Sequence, residues 1–503
     1  MAAITECAFA DVRQPEQFVF AVPGPDALID AGQIVAKAKA MYEKRSDEKD
    51  RLEKIDQWLN GCQDPPNVPE ASQELKRLLE LSRTPWLGLV VTTLGQAMFV
   101  DGFRSPASGQ TLEKSWKTWV GNGMPSRQVA IHRAALGYGY AYMLVEEGIA
   151  QDGTPRSVMR GLSPKRVYAE YDDSSFDDWP RYAIRVDAQS DLAAVVWLYD
   201  DTYAHKLFYK PSAAVQWTLE KSTPHNAGCV PLVRYTNQLD LDGKTPGEVE
   251  PFVGLAARID KSSFDRLVTQ HYNSWKKLWI AGMTEPPADE ADARRRKLKL
   301  RQEDILIAES TETKFGAIPE TELGGFINAI ESDIEHLAAV AQLPNHLLTG
   351  KMVNLSAEAL SAARAPLTQK VFERQVSFGA SHAQALRLAA KLQGDEESAQ
   401  DVMAHVTWQD MEVRSLAQAA DALGKLATQL GIPRMSLWRM IPGVSQLDVE
   451  EWQENMLDDD PAAVYLRKFD KLDSAAKSAV PNGVTPEDKA APGVNEPDAS
   501  LDG

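Results

Sequence analysis

Cysteine is nearly absent from this 503-residue chain. Cys7, Cys62 and Cys229 lie far apart, so neither a CxxC metal knuckle nor a disulfide framework can be built from them. The odd count fits a reducing compartment. Long apolar runs are missing as well. The most apolar stretch, Trp86 to Val100, is broken by Thr92, Thr93, Gly95 and Gln96, and falls short of the ~18 residues that cross a bilayer. The first residues show no basic start followed by an apolar core, so no signal peptide is expected. The chain reads as a soluble protein made in the cytoplasm, with no membrane contact. Positive charge is in deficit: 54 Lys and Arg stand against 72 Asp and Glu, a net charge of −18. That excludes a general basic coat for nucleic acid, though not a local basic patch.

Reaction-centre motifs are also missing. Gly243-Lys244-Thr245 resembles the end of a phosphate loop, but Gln238 stands where the first glycine belongs. The same stretch mimics a calcium loop through Asp240, Asp242 and Gly243. Gln238 and Val249 occupy its two end-ligand positions, so no ion is expected. Gly137-Tyr138-Gly139 lies between a helix and a strand, the reverse of the dinucleotide order. There is no GxSxG or HExxH. The 8 histidines are scattered, and lone ones such as His132 and His336 read as packed or solvated helix residues. No catalytic residue, cofactor or metal site is assigned, which points to a structural or assembly role over an enzyme.

What is present is globular: 44% hydrophobic and 25% charged residues, over a length that suits roughly three domains. Helical spacing marks Asp26 to Asn60, stopped by Gly61, and Glu70 to Leu81. A third helix opens at Thr84-Pro85, with Thr84 as its cap. Met98 to Arg104 reads as a strand, and Leu112 to Val120 and Ser126 to Gly137 as helices. Short Val-, Tyr- and Trp-rich runs follow at Tyr140–Val145, Arg166–Tyr171, Arg181–Val186, Ala193–Tyr199, His205–Tyr209, Ala214–Leu219 and Val230–Tyr235. They predict an antiparallel sheet region. Helices return at Gly247 to Trp275 and Phe326 to Gln342, with short strands at Leu278–Ala281 and Ile305–Ala308 between them. A long helical pattern runs from Ser356, a capping residue, to Gln393. Pro366 lies inside it and should kink it. Val413–Leu430, Pro433–Met440 and Asp448–Met456 complete the helices. From about Ser474 the composition reads as a disordered acidic tail. The fold class is α+β, mostly helical.

Two features stand out against this background. Arg294, Arg295, Arg296, Lys297, Lys299 and Arg301 crowd together in an acidic chain, as a solvated helix face or a contact for an acidic partner or nucleic acid. The loop Leu343 to Leu355 is longer than the usual 2–8 residues between helices, which hints at a working loop.

Several ordered blocks resemble the portal proteins of tailed double-stranded DNA bacteriophages, in the form found among long-tailed phages of actinobacteria. They are Trp86-Leu87-Gly88-Leu89-Val90-Val91 leading to Val100-Asp101-Gly102-Phe103-Arg104; Trp116 and Trp119 with Asn122-Gly123-Met124; His132 to Gly139; and Pro231-Leu232-Val233 with Gly247-Glu248 and Ile259-Asp260. The strongest is Leu343-Pro344, Leu347, Gly350, Asn354, Ser356 and Glu358-Ala359-Leu360, then Arg374-Gln375 and Phe378. Trp408, Arg414-Ser415 and Ala417 to Ala420 continue it.

The resemblance implies a homo-oligomeric ring, usually a dodecamer, at one vertex of a capsid made in the host cytoplasm. DNA would pass through its channel without sequence recognition. The large terminase subunit, a head–tail connector, and major capsid and scaffolding proteins would be partners. It divides the chain into a wing (1–246), stem helices (247–275 and 326–342), a clip (276–325) and a tunnel loop (343–355). A long kinked helix (356–393), a crown (394–473) and the tail (474–503) follow. The basic cluster then falls on the clip. Asn345, His346, Lys351 and Asn354 face DNA, and the stripe Ile327, Ile330, Ile334 and Leu337 is available to ring neighbours. A minor head or connector protein, and a hydrolase with dispersed carboxylates, are the alternatives.

Overall fold

The computed structural model describes residues 30–64, 72–105, 112–149, 155–189, 193–274, 278–281, 314–317, 321–351, 356–409, 416–441, 444 and 446–459. The chain forms two compact units, Met1–Glu412 and Val413–Gly503. In the first, three helices, α1 (Ala31–Asn60), α2 (Gln73–Leu81) and α3 (Trp86–Gln96), precede strand β1 (Val100–Arg104). Helices α4 (Glu113–Gly121) and α5 (Met124–Tyr138) follow. The strands are β2 (Tyr140–Ile149), β3 (Pro155–Leu162), β4 (Val167–Glu170), β5 (Tyr182–Gln189), β6 (Ala194–Tyr199), β7 (Tyr203–Tyr209), β8 (Trp217–Pro224) and β9 (Leu232–Thr236). Then come α6 (Val253–Asn273), the antiparallel pair β10 (Leu278–Ala281) and β11 (Lys314–Ala317), α7 (Gly324–Val340) and α8 (Asn345–Thr349). The 36-residue α9 (Ala357–Leu392), α10 (Glu396–Gln400) and β12 (His405–Trp408) close the unit. The second unit holds α11 (Leu416–Gln429), α12 (Arg434–Leu437) and α13 (Gln446–Asp459). Within it Trp438 meets Trp452 edge-on, with ring centroids 6.0 Å apart.

Two antiparallel sheets stack as adjacent layers. A three-stranded sheet, in the order β3-β2-β9, turns Met143, Val145, Met159, Val233 and Tyr235 toward α5 and α9. Its other face, with Tyr142, Leu144, Leu162 and Leu232, packs on Ala183, Tyr199 and Ala204 of the five-stranded sheet β4-β5-β6-β7-β8. Because side chains alternate along a strand, Tyr182, Ile184 and Val186 then point away, where Ile34, Ala38 and Met41 of α1 cover them. The order of layers is therefore helices, small sheet, large sheet and α1. The middle strand of the small sheet, β2, is buried on both faces over Ala141–Val145, which explains its unbroken apolar run.

The helix boundaries follow local chemistry. Asp30 caps α1 by accepting from Gln33 N at 3.1 Å, and Gly61 ends it with a left-handed φ of 67°. Ser356 caps α9 as expected, accepting from Ala359 N at 3.2 Å. Thr84 does not cap α3; Pro85 holds the cap position and no side chain bonds there. α9 is one continuous helix that contains Pro366. Ala362 loses its donor there, but it is exposed, so water can replace the missing hydrogen bond.

Three elements escape the sequence pattern. β3, with the sequence PRSVMRGL, has one β-branched residue. It is held by β2 as an edge. β11 likewise has no β-branched residue. β12 pairs back with β1, Phe103 opposite Val406 and Arg104 opposite His405, more than 300 residues away in the chain, as the Asp101–Thr407 hydrogen bond measures. Residues 394–409 thus pack with the first unit. The strand expected at Ile305–Ala308, the basic cluster from Arg294 to Arg301 and the tail 474–503 lie outside the described residues.

One backbone approach carries much of the packing. Gly139 has φ 95°, and a Cβ there would collide with the Thr245 carbonyl oxygen. Asn237 N donates to Gly139 O at 2.8 Å, and Glu248 N to Leu136 O at 2.7 Å. The segment 245–248 is thereby laid against the end of α5. Gly139→Ala combines left-handed strain with a backbone collision, and should destabilise the subunit by about 2 kcal/mol or more. A fall in the urea midpoint at unchanged slope checks this.

Candidate functional site

The region singled out by sequence is the turn between α7 and α9. α7 ends in a Schellman motif: Leu343 N donates to Ala338 O at 2.8 Å and Gln342 N to Ala339 O at 3.2 Å. Gln342 fills the left-handed position, φ 60°, that usually takes glycine. Pro344 then opens α8, so the expected open loop contains a helical turn, Asn345–Thr349. Gly350, φ 67°, ends it. Leu348 is buried and anchors the turn, an apolar contact that loop composition does not display.

The residues expected to face a channel are placed as follows. Asn345 is exposed, and its carbonyl accepts from Thr349 Oγ1 at 3.0 Å. His346 is half-buried, and its carbonyl accepts from Gly350 N at 3.0 Å. Lys351 is exposed and pairs with Glu331 of α7, Nζ to Oε1 at 2.6 Å. Asn354 lies outside the described residues. The apolar stripe on α7 divides. Ile327 is 45% exposed, and Ile330 is half-buried against the main core. Ile334 and Leu337 are corrected: at 7% and 0% exposure they belong to this chain's own core and offer nothing to a neighbour. The reason is that α7 packs on α6, with Arg258 of α6 bonded to Asp333 at 2.8 Å.

Above this turn sits a buried ionic centre. Glu248, 4% exposed, receives Lys370 Nζ on Oε2 at 2.6 Å and Arg374 Nη2 on Oε1 at 3.1 Å. Lys370 also donates to the Ala341 carbonyl at 3.1 Å. Asn237 Nδ2 donates to Glu248 at 3.2 Å. The end of β9, the end of α7 and the middle of α9 therefore meet on one carboxylate.

Two turns further along α9, His382 Nε2 lies 2.8 Å from His132 Nε2, and its Nδ1 lies 2.8 Å from Tyr235 Oη. Both rings are fully buried. His132 stacks on Phe378 at 5.3 Å, and Trp119 meets His382 edge-on at 5.0 Å. An Nε2···Nε2 contact needs a proton on one nitrogen and a lone pair on the other. Either Tyr235 donates to His382, which donates to His132, or the chain runs in reverse with Tyr235 donating to Met143 Sδ at 3.6 Å. Both arrangements keep both rings neutral. Burial pushes His132 down to about 4 and His382 well below the usual histidine value, the latter lowered further by His132.

Sequence reading took His132 as packed, which it is, but did not join it to His382 or Tyr235. The available signal was that both histidines sit among buried helix positions, Ile131 and Ala135 on one helix and Ala383 and Leu386 on the other. Among the described residues no group of three or more His, Cys, Asp or Glu could hold a metal ion, and no helix is long and apolar enough to cross a membrane.

The histidine pair makes stability depend on acid. The unfolded histidines bind protons below about pH 6.5, whereas the folded pair resists until lower pH. Stability is therefore full above 6.5 and falls as pH drops from 6.5 toward 4, by about 1.4 kcal/mol per pH unit for each group that must be charged to unfold. Melting temperatures across that range should fall steeply for the native chain. They should fall less for His132→Leu/His382→Leu; equal slopes refute the assignment.

Comparison with known proteins agrees with these features. The family model described as phage portal protein, SPP1 Gp6-like, matches residues 38–461. The portal protein of Mycobacterium phage D29 is 27% identical over 373 residues, covering 71% of this chain and 74% of that protein. The portal protein of Mycobacterium phage L5 is 23% identical over 447 residues, 86% of each chain. Among solved structures, a chain of the virion of a native gene transfer agent particle aligns with a TM-score of 0.41 at 12% identity, over 74% of this chain and 96% of that one. A chain from the neck of a native gene transfer agent particle, computed with C12 symmetry, aligns at 0.39 and 10% identity, over 76% and 96%. The family match begins within α1 and runs on through both the ionic and the histidine centres, and this chain belongs to the phage portal protein family.

Proposed function

We propose that this chain forms a closed ring, of twelve copies, at one capsid vertex, through which double-stranded DNA is packaged and ejected. The single observation that carries this reading is the family match over residues 38–461. Elementary electrostatics supports it. Each phosphate neutralised by Lys or Arg adds binding that opposes sliding, and a subunit with net charge −18 grips DNA little. The ring hydrolyses nothing itself; the work comes from the large terminase subunit docked to it. A head–tail connector, and capsid and scaffolding proteins during assembly in the host cytoplasm, are its other partners.

On this reading 1–246 is the wing, α6 and α7 with their flanks at 247–275 and 326–342 are the stem, and 276–325 is the clip. The tunnel loop is 343–355, the long helix is 356–393, and the crown is 394–473. The antiparallel contact of α6 and α7 suits a stem, because it returns the chain to the turn before α9 after one excursion. Ile327 and Ile330 stay available to a ring neighbour. The Arg294 to Arg301 cluster would serve terminase or connector docking, with charge steering the encounter.

Lys351 would form a thin belt around the bore, held back by Glu331. An exposed pair of this kind is worth only about 0.2–1 kcal/mol, so a phosphate can displace the carboxylate. Electron microscopy of the purified full chain should show rings with a central hole; a compact monomer or dimer with catalytic turnover would overturn the reading. Lys351→Glu sets two carboxylates against each other. It should leave rings intact and lower DNA packaging severalfold. Packaging at the native level would remove Lys351 from DNA contact.

A further inference from the structure

A head-to-tail ring needs two different, complementary patches on opposite flanks of each subunit. The small sheet carries such a pair. On the β3 flank, α5 and β3 enclose a pocket of about 410 Å³. Its floor is Ile131 and Met159, opened by Gly161, where any Cβ would collide with Ile131. Its rim carries Arg127 and Arg160, both exposed. Neither α5 nor β3 contains a single Asp or Glu, although the chain as a whole is acidic. The charged residues lining the pocket are therefore both arginines.

The opposite flank is the mirror case. The loop that continues from β9 and the loop after β4 meet there: Arg234 Nη2 donates to the Ser174 carbonyl at 2.8 Å, and Gly243 lies directly against Ser174. Their tips expose Phe176 at 86% and Leu241 at 97%. Around these stand Asp172, Asp173, Asp177, Asp178, Asp240 and Asp242, against Arg181, Arg234 and Lys244. The loops are stiffened from within. Asp177 accepts from Asp173 N at 2.7 Å, and Asp240 accepts from Lys244 N at 2.7 Å and Asp242 N at 3.0 Å. An apolar tip ringed by carboxylates thus lies across the β3-β2-β9 sheet from an apolar pocket ringed by guanidinium groups.

We infer that the Phe176/Leu241 tip of one copy docks in the Arg127/Arg160 pocket of the next, closing the ring between wing regions. This rests on the ring reading above. The occupant is a second copy and not nucleic acid, because the pocket floor is apolar and the same chain carries the matching apolar, acidic tip. An apolar centre with a charged rim is the ordinary anatomy of a specific interface, and opposite potentials on the two faces fix the head-to-tail sense.

The test uses the full-length chain, native mass spectrometry for ring formation, circular dichroism for folding and filter retention for DNA binding. Arg127→Glu/Arg160→Glu should stay folded and reduce the ring fraction by about tenfold or more at physiological salt, the effect of losing rim complementarity across every interface. Asp172→Arg/Asp242→Arg should do the same. The chain carrying all four substitutions should regain rings, since an acidic rim then faces a basic tip and opposite charges meet again. Rings from the native chain and equally from Arg127→Glu/Arg160→Glu would overturn this docking and leave the ring reading standing. Absence of rings from the native chain itself would sink both. Intact rings with lost DNA retention would give the arginines to nucleic acid and overturn the docking.

Discussion

The packing of the first unit depends on the burial of one carboxylate. Glu248 cannot be placed without its cations, because an unpaired buried charge costs several kcal/mol. Lys370 and Arg374 both reach it, and Arg374 shares its remaining charge with the exposed Glu373 at 3.0 Å. Such a centre contributes little net stability against an apolar replacement, but removal of a single member costs about 3–5 kcal/mol. Its effect is therefore on arrangement. α9 can slide against neither α7 nor β9 without breaking it, since Lys370 also holds Ala341 and Asn237 also holds Glu248. The Gly139 and Gly247 approach is what brings Glu248 within reach.

From that anchor α9 behaves as two segments of one helix. Its C-terminal part is bolted down: Ser377 and Ser381 donate to the carbonyls of Thr236 and Arg234 at 2.8 and 2.9 Å. Ser157 donates to Ala389 at 2.7 Å, and Lys391 to Ala227 at 2.7 Å. The histidine pair adds a further bond between α9 and its neighbours, made without net charge. Before Lys370 the helix is mostly exposed, through Ala362, Ala363, Ala365 and Pro366. A 36-residue helix is about 54 Å long, so a rigid part held by the core carries a long, lightly packed arm. Pro366 weakens that arm near its base, where the missing hydrogen bond costs least.

Periodicity made most of this legible, and its failures have physical causes. Helices and most strands carried their own signals because each buries one continuous stripe or an alternating face. β3, β11 and β12 did not. β3 and β11 are poor in β-branched residues and β12 is only four residues long; all three are held by pairing with β2, β10 and β1, and pairing is invisible in a local window. α8 is one turn held by the burial of Leu348. The α7 stripe read correctly as amphipathic, but amphipathicity says only that a face is covered, not by which chain. Ile334 and Leu337 went to the chain's own core and Ile327 did not. The ionic centre was hidden because Glu248, Lys370 and Arg374 are common surface residues whose burial comes from glycine contacts elsewhere. Family resemblance, in contrast, rested on exactly such blocks, Gly247-Glu248 and Arg374-Gln375 among them.

Charge in this chain is distributed by sign more than by amount. A net charge of −18 spread evenly would repel both DNA and other copies. The structure instead sorts it. Carboxylates gather on the loops after β4 and β9, and guanidinium groups on α5 and β3. At the turn before α9 a lone lysine is covered by Glu331. In a ring these arrangements do different things. Flank charges of opposite sign would attract neighbours wherever they approach within the ~8 Å screening length of physiological salt. On the proposed reading, Lys351 paired to Glu331 would be weakly attractive to DNA at contact and neutral at a distance. An acidic excess that disfavours tight DNA binding would thus still be compatible with the proposed self-association, provided the two signs sit on opposite sides of the sheet. The order β3-β2-β9 supplies that separation.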